Sequence, residues 1–150
     1  MGEMTDRKEL AGAYFSKGYN CSQSVLLAFS DITGLSEEDA ARVSVGLGGG
    51  VGRMREVCGA VSGMAMVLGF IYGSEDPSSK NAVYPEVQKA CAAFAESCGS
   101  IVCRELIAGT GATKGGTAEE RTPEFYKKRP CKELVLRAVE ILDDIVSETN

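Results

Sequence analysis

The sequence predicts an all-α fold on three observations. Helix start and stop residues recur along the chain; no run of alternating β-branched residues bounded by turns marks a strand; and one apolar segment, about 57–73, is long enough for a buried helix. With 44% hydrophobic content in 150 residues the chain can enclose one core, so a single domain over 1–150 is expected, a multi-helix bundle around that glycine-rich apolar helix.

The first helix is expected from about Thr5 to Lys17, with Leu10, Tyr14 and Lys17 along one stripe and Gly18 as its stop. Asn20 starts the second, because its side chain can cap while Gln23, three residues on, reaches back to complete a capping box. Val25, Leu26, Phe29 and Ile32 form its apolar side, Gly34 ends it, and Cys21 stands at its first helical position. Ser36 followed by Glu37, Glu38 and Asp39 sets acids against the positive end of a short third helix that stops at Gly46. The stretch GLGGGVGRM, 46–54, is too glycine-rich for regular structure and reads as a flexible strap leading to the apolar helix headed by Cys58. A further helix covers roughly Pro77 to Cys98, bent or restarted at Pro85, with Gly99 as its stop. Ser100 can cap the next, which places Cys103 at its third helical position and ends at Gly109. Residues 109–122, GTGATKGGTAEERT, are polar and read as a long mobile loop. Thr122-Pro123 opens a short helical turn, and Pro130 opens the last helix, with Cys131, Leu134, Val135, Ala138, Ile141, Leu142 and Ile145 at helical spacing.

A net charge of −5 leaves no basic surplus to displace counterions, which argues against nucleic acid or an anionic membrane as a partner. The opening MGEMTDRKEL lacks the features of a secretion signal, and the apolar stretch from Val57 to Tyr72 falls short of the roughly 18 to 20 residues a membrane span needs. A cytoplasmic protein is expected. In that reducing compartment six cysteines exceed what packing asks for, so some should carry chemistry or bind metal. Histidine is absent, which removes Cys-His nucleophilic pairs, His-ligated haem and mixed Cys/His zinc sites.

Four cysteines, Cys21, Cys58, Cys103 and Cys131, fall in the predicted first turns of four helices, where free N–H groups and the helix dipole favour a thiolate. Lys127, Lys128 and Arg129 before Cys131, Arg104 after Cys103, and Arg53 and Arg55 before Cys58 add positive charge. Cys91 and Cys98, amid Ala92, Ala93 and Phe94, read as core packing. No Cys-x-x-Cys pair marks a local zinc or iron–sulfur site, although four thiolates gathered by the fold could still hold one.

Gly59 and Gly63 form a small-x-x-x-small face that admits either another helix backbone or a flat cofactor. Each glycine costs about 1 kcal/mol relative to alanine inside a helix, so close approach near Cys58 is the compensating gain. The glycine-rich loop before it invites an anion nest, with Arg53 where a phosphate-binding lysine would stand, but it matches no nucleotide fingerprint. Gly59, Gly63 and Arg53 are accordingly the positions at which a cofactor would be held.

The segments GYNCSQSVLLAF, GLGGGVGRMREVCGAVSGMAMVLG, CGSIVCRELIAG and CKELVLRAVEIL together resemble the C_GCAxxG_C_C family, whose members are taken to be redox active. The resemblance covers nearly the whole chain, and its central element reads Cys58-Gly59-Ala60-x-x-Gly63. It implies that Cys21, Cys58, Cys103 and Cys131 are the family cysteines and that Cys91 and Cys98 lie outside the pattern. A likeness of that family to a domain of split-Soret cytochromes implies electron transfer or an iron–sulfur centre, while this chain lacks the Cys-x-x-Cys-His haem attachment site.

The leading expectation is a thiol redox protein in which Cys58, as a low-pKa thiolate, attacks a disulfide of a partner protein or small thiol compound. Cys21, Cys103 and Cys131 then serve as resolving or auxiliary thiols. The alternative is a module in which the same four thiolates hold an iron–sulfur cluster or another soft metal ion. A third option is a helical interaction domain whose thiols merely pack. Symmetry statistics make a homodimer the default assembly.

Overall fold

The structure, a computed structural model, describes residues 6–149. Its architecture is all-α, as predicted, with the described chain largely in helices and only an isolated antiparallel bridge between Val57 and Val102 outside them.

Helix α1, Arg7–Ser16, starts at Asp6, whose carboxylate accepts from the backbone N–H groups of Lys8 and Glu9 at 2.9 and 3.2 Å; Thr5, the expected start, lies outside the described residues. Its inner face is Ala11, Gly12 and Phe15, with Leu10 and Tyr14 only half-buried at the rim and Lys17 exposed. The stripe expected from sequence is thus rotated by one residue. Helix α2, Cys21–Ala28, has the expected capping box between Asn20 and Gln23. It ends at Phe29, whose backbone leaves the helical region and sends its ring into the core; a separate turn, α3, Ser30–Thr33, follows and stops at left-handed Gly34. Helix α4, Glu37–Ser44, is capped by Ser36 as expected and runs into a 3₁₀ turn at Val45–Leu47.

Helix α5, Gly59–Tyr72, is the predicted apolar helix, with Cys58 at its N-cap. A 3₁₀ turn at Pro77–Ser79 leads into α6, Lys80–Cys98, which continues through Pro85 where a bend or restart was expected. The proline sits near the helix start, where the chain is exposed and water can satisfy the carbonyl that loses its partner. Helix α7, Cys103–Leu106, is a single turn whose first residue is Cys103, with Val102 and not Ser100 at the cap. Ser100 instead accepts from the Val102 N–H at 2.9 Å and donates to Glu105. Helix α8, Pro123–Lys128, is capped by Thr122, and α9, Cys131–Thr149, buries Leu134, Val135, Ala138, Val139, Ile141, Leu142 and Val146.

The most enclosed helix is α2, every residue of which is buried, whereas α5, expected at the centre, leaves Phe70 exposed. Around α2 stand α1, α4, α5 and α9, and α6 closes the outer side of α5 and α9. What lets α2 and α5 meet is glycine: a Cβ at Gly63 would lie 2.7 Å from Val25 Cβ and 3.2 Å from the Ser22 carbonyl oxygen. Across the outside, Arg7 bridges Asp31 and Asp143 at 2.5 and 2.7 Å and ties α1 to α3 and α9. No helix among the described residues is long and apolar enough to cross a membrane.

Candidate functional site

Cys21, Cys58, Cys103 and Cys131 all line one cavity of about 450 Å³. They reach it by two routes. Cys21 and Cys131 are the first residues of α2 and α9, regular helices whose N-terminal ends meet at the cavity. Cys58 and Cys103 are brought together by the bridge, in which the Cys58 N–H donates to the Ile101 carbonyl at 2.8 Å and the Cys103 N–H donates to the Glu56 carbonyl at 2.6 Å. Alternation along the paired segments turns both thiols to the face opposite Val57 and Val102.

The stretch that was expected to be a flexible strap is instead folded into a left-handed turn. Five successive residues, Gly49 to Arg53, have φ between 55° and 71°, and Arg55 follows at 61°. Such a run is rare, because an L-residue in this region places Cβ against the following carbonyl and costs roughly 1–2 kcal/mol. Val51, Arg53 and Arg55 bear that cost; the turn is held by bonds from the Gly52, Arg55 and Glu56 N–H groups to the carbonyls of Gly46, Gly49 and Gly50 at 2.9, 3.1 and 2.9 Å. Gly50 is indispensable here. Its φ is +71°, and a Cβ on it would sit 2.6 Å from the Glu56 nitrogen and 2.7 Å from Cys103 Cβ.

This turn delivers two arginines. Arg53 donates to the Gly115 carbonyl at 2.7 Å and to both the carbonyl and the hydroxyl of Thr113, and pairs with Glu119 at 3.3 Å. Arg55, only 7% exposed, donates through Nε to the Thr113 carbonyl at 2.9 Å and through Nη1 to the Cys103 sulfur at 3.7 Å. From the other side Arg129 pairs with the same Glu119 and stacks over the Phe125 ring, while Arg121 lies over Phe15 and donates to the Phe15 and Tyr19 carbonyls. Residues 109–122, expected to be a long mobile loop, are therefore fastened across the cavity by Arg53, Arg55 and Arg129 and by the loop's own Arg121.

The two thiol pairs differ in charge as well as in construction. A hydrogen bond from Cys21 draws Cys131 down to about 7 against the opposition of its own burial, and Arg129 and Arg55 add to the effect. The same bond, with burial, pushes Cys21 well above the ordinary thiol range, so the pair shares one proton that rests on Cys21. Cys58 goes the other way from expectation: burial pushes it up to about 12, outweighing the Ala60 and Val61 N–H groups that favour its anion. Sequence placed the low-pKa thiolate on Cys58 because a helix start supplies donors; the tertiary structure withdraws water, and desolvation of the charge is the larger effect.

Gly59 and Gly63, assigned to a cofactor in the sequence reading, meet α2: a Cβ at Gly59 would lie 3.1 Å from the Ser22 nitrogen and 3.3 Å from Cys21 Cβ. Their helix-packing alternative is the one the structure adopts, and it also sets Cys21 beside the start of α5. Arg53, the third such position, lines the cavity with its donors already committed to the loop. Arg104, expected to bias Cys103, turns instead to Glu56 at 3.0 Å. Cys91 and Cys98 are half-buried against the core on α6 and do not line the cavity. Glu119 and Arg121 were missed by sequence reading, since a polar loop offers no periodicity to mark them. Among the described residues no three Cys, Asp or Glu side chains stand close enough to share one metal ion, so a mononuclear zinc-like centre finds no ready donor set.

The family described as "Putative redox-active protein (C_GCAxxG_C_C)" matches residues 19–145, and the chain belongs to that family. The match begins after α1 and takes in all four cavity cysteines. No curated protein and no solved structure gives a significant match.

Proposed function

We propose that the protein carries out thiol–disulfide exchange at the cavity, with Cys131 as the attacking thiolate and Cys21 as the resolving thiol. What supports it is the placement of Cys21 and Cys131, the first residues of α2 and α9, side by side at the cavity, where the Cys21 thiol, Arg129 and Arg55 draw Cys131 down to about 7 and so give it substantial thiolate character near neutral pH. The Cys131 thiolate attacks one sulfur of a disulfide, forming a mixed disulfide and releasing one thiolate. Cys21 then gives its proton to that leaving group and attacks the Cys131 sulfur, which expels the second thiolate and forms a Cys21–Cys131 disulfide. One protein dithiol is oxidised and one external disulfide is reduced to a thiol and a thiolate, the latter taking a proton from solvent; the reverse sequence regenerates the dithiol. Cys58 and Cys103 line the same cavity, where Arg55 donates to the Cys103 sulfur, and are auxiliary thiols in this scheme. A partner protein or small disulfide supplies the oxidising equivalents, and a reducing cytoplasm suits the free dithiol.

The test is to oxidise the reduced protein with a small disulfide, block free thiols and map the product by peptide mass. A Cys21–Cys131 disulfide formed first is the expected result; first formation of any other pair, or none, overturns the assignment.

A second reading is favoured by the convergence of four thiols on one cavity with guanidinium groups in its wall. Cys21, Cys58, Cys103 and Cys131 would be the ligands of an iron–sulfur cluster, with Arg55 and Arg129 offsetting its negative charge; such a cluster supplies one-electron transfer. Protein purified without oxygen distinguishes the two, since stoichiometric iron and sulfide in a coloured sample supports the cluster and a colourless dithiol supports exchange.

A further inference from the structure

The wall of the cavity inverts the charge of the molecule. The chain carries −5 overall, yet the charged residues lining the cavity are four arginines, Arg53, Arg55, Arg121 and Arg129, against the single carboxylate of Glu119. Three of these guanidinium groups have their donors engaged by loop carbonyls, hydroxyls, Glu119 or Cys131. Arg55 does not. Its Nη2 is buried and has no hydrogen-bond partner, and its nearest acid, Glu119, stands at 3.6 Å and is already shared with Arg53 and Arg129.

A buried donor without a hydrogen bond is unfavourable even with Glu119 at 3.6 Å, and it is carried here by a residue whose own backbone is at φ +61°. The unused donor lies on the same guanidinium that touches the Cys103 sulfur through Nη1, so an acceptor bound there would be fixed beside the thiols. With Nε and Nη1 engaged, a carboxylate oxygen is the charged acceptor that suits the one guanidinium nitrogen left over. Phe15, Leu106, Ile107, Phe125 and Leu134 supply an apolar lining for the remainder of a ligand, and a cavity of about 450 Å³ is the size of a small molecule.

We propose that the reactant disulfide is a small one carrying carboxylate groups, and that Arg55 binds the carboxylate through its free Nη2 so as to hold the sulfurs against the thiol pair. The proposal rests on the thiol-exchange function above: the disulfide is the oxidant, accepts two electrons from the dithiol and leaves as two carboxylate-bearing thiols.

The experiment follows the oxidation of the full-length reduced protein by three small disulfides: 3,3′-dithiodipropionate, which is anionic; bis(2-hydroxyethyl) disulfide, which is neutral; and cystamine, which is cationic. Each rate is divided by the rate of the same disulfide with free 2-mercaptoethanol, which removes leaving-group differences. The anionic compound is expected to exceed the neutral one by about tenfold or more after that correction, with the cationic one slowest. In Arg55→Gln the anionic preference should fall towards unity; because the same thiolate attacks all three disulfides, any change in its pKa moves the rates together and leaves the ratios intact. If that variant does not fold, folded Arg55→Lys takes its place: the anionic preference is expected to fall with the loss of Nη2, and one that persists undiminished there overturns the role of Arg55. Equal corrected rates in the wild type overturn the anionic substrate and leave exchange standing, whereas no reaction with any of the three overturns both. A preference that persists undiminished in folded Arg55→Gln overturns the role of Arg55.

Discussion

Two pairs of cysteines open onto the same cavity and are built in opposite ways. Cys21 and Cys131 begin regular helices, and their positions cost the backbone little. Cys58 and Cys103 depend on an isolated bridge abutting a left-handed turn with Val51, Arg53 and Arg55 at positive φ. The relaxed pair holds the acidic thiol, while in the strained half burial pushes Cys58 up to about 12. A helix start alone therefore does not make a thiolate. A donor that shares the charge and a nearby guanidinium do so, and exclusion of water undoes it.

That contrast can be broken most directly by labelling. At neutral pH, Cys131 at about 7 and Cys58 at about 12 differ by roughly 50,000-fold in thiolate fraction, and the greater intrinsic nucleophilicity of the more basic sulfur returns only about 300-fold. Iodoacetamide followed by peptide mass mapping should therefore show Cys131 reacting more than about a hundredfold faster than Cys58. Its rate should rise as pH increases through about 7, where the thiolate forms, and then level off. Comparable rates at the two sites would erase the distinction.

The next effect in size falls on the strained half. Gly50→Ala adds a Cβ within 2.8 Å of three neighbouring atoms at a residue with φ +71°. A loss of about 2–4 kcal/mol is expected from overpacking and left-handed strain together, measured by urea unfolding. An unchanged midpoint would mean that the turn is not packed as described.

Cys21→Ala sharpens the comparison on the relaxed side. It removes the largest influence lowering Cys131, so the labelling midpoint should climb from about 7 towards the ordinary 9. At pH 7 the anion fraction would drop about fiftyfold and intrinsic nucleophilicity would rise about tenfold, leaving Cys131 labelling roughly fivefold slower. A midpoint that stays near 7 would assign the shift to the arginines instead. The smallest effect, and the one of opposite sign, belongs to Val51→Gly: relief of a β-branched residue at φ +66° less the added chain entropy of glycine should stabilise by about 0.5–1 kcal/mol in the same unfolding assay.

Much of the local structure was legible in the chain. Asn20 with Gln23, Ser36 before three acids, Thr122-Pro123 and the positive-φ stops at Gly18 and Gly99 act over one turn, and each operates as read, whereas Gly34 stops the separate turn α3 and not the second helix. Phe29 was read as a mid-helix apolar residue because spacing alone does not reveal that the core draws its ring out of register. GLGGGVGRM was read as flexible because glycine permits left-handed geometry without requiring it; the bonds that select it come from its own far end and from Thr113, Gly115 and Glu119. Neighbours in sequence point to Cys58 as the thiolate, whereas its pKa is governed by how completely the fold buries it.

By itself the sequence determined the all-α class, most helix starts and stops, and which four thiols stand at helix beginnings, since capping, glycine stops and apolar period are short-range forces. Only the tertiary structure decided which thiol is acidic, which arginine keeps a free donor and which face of each glycine is filled. Those depend on desolvation and on partners dozens of residues away, and both act through space without leaving a local pattern in the chain.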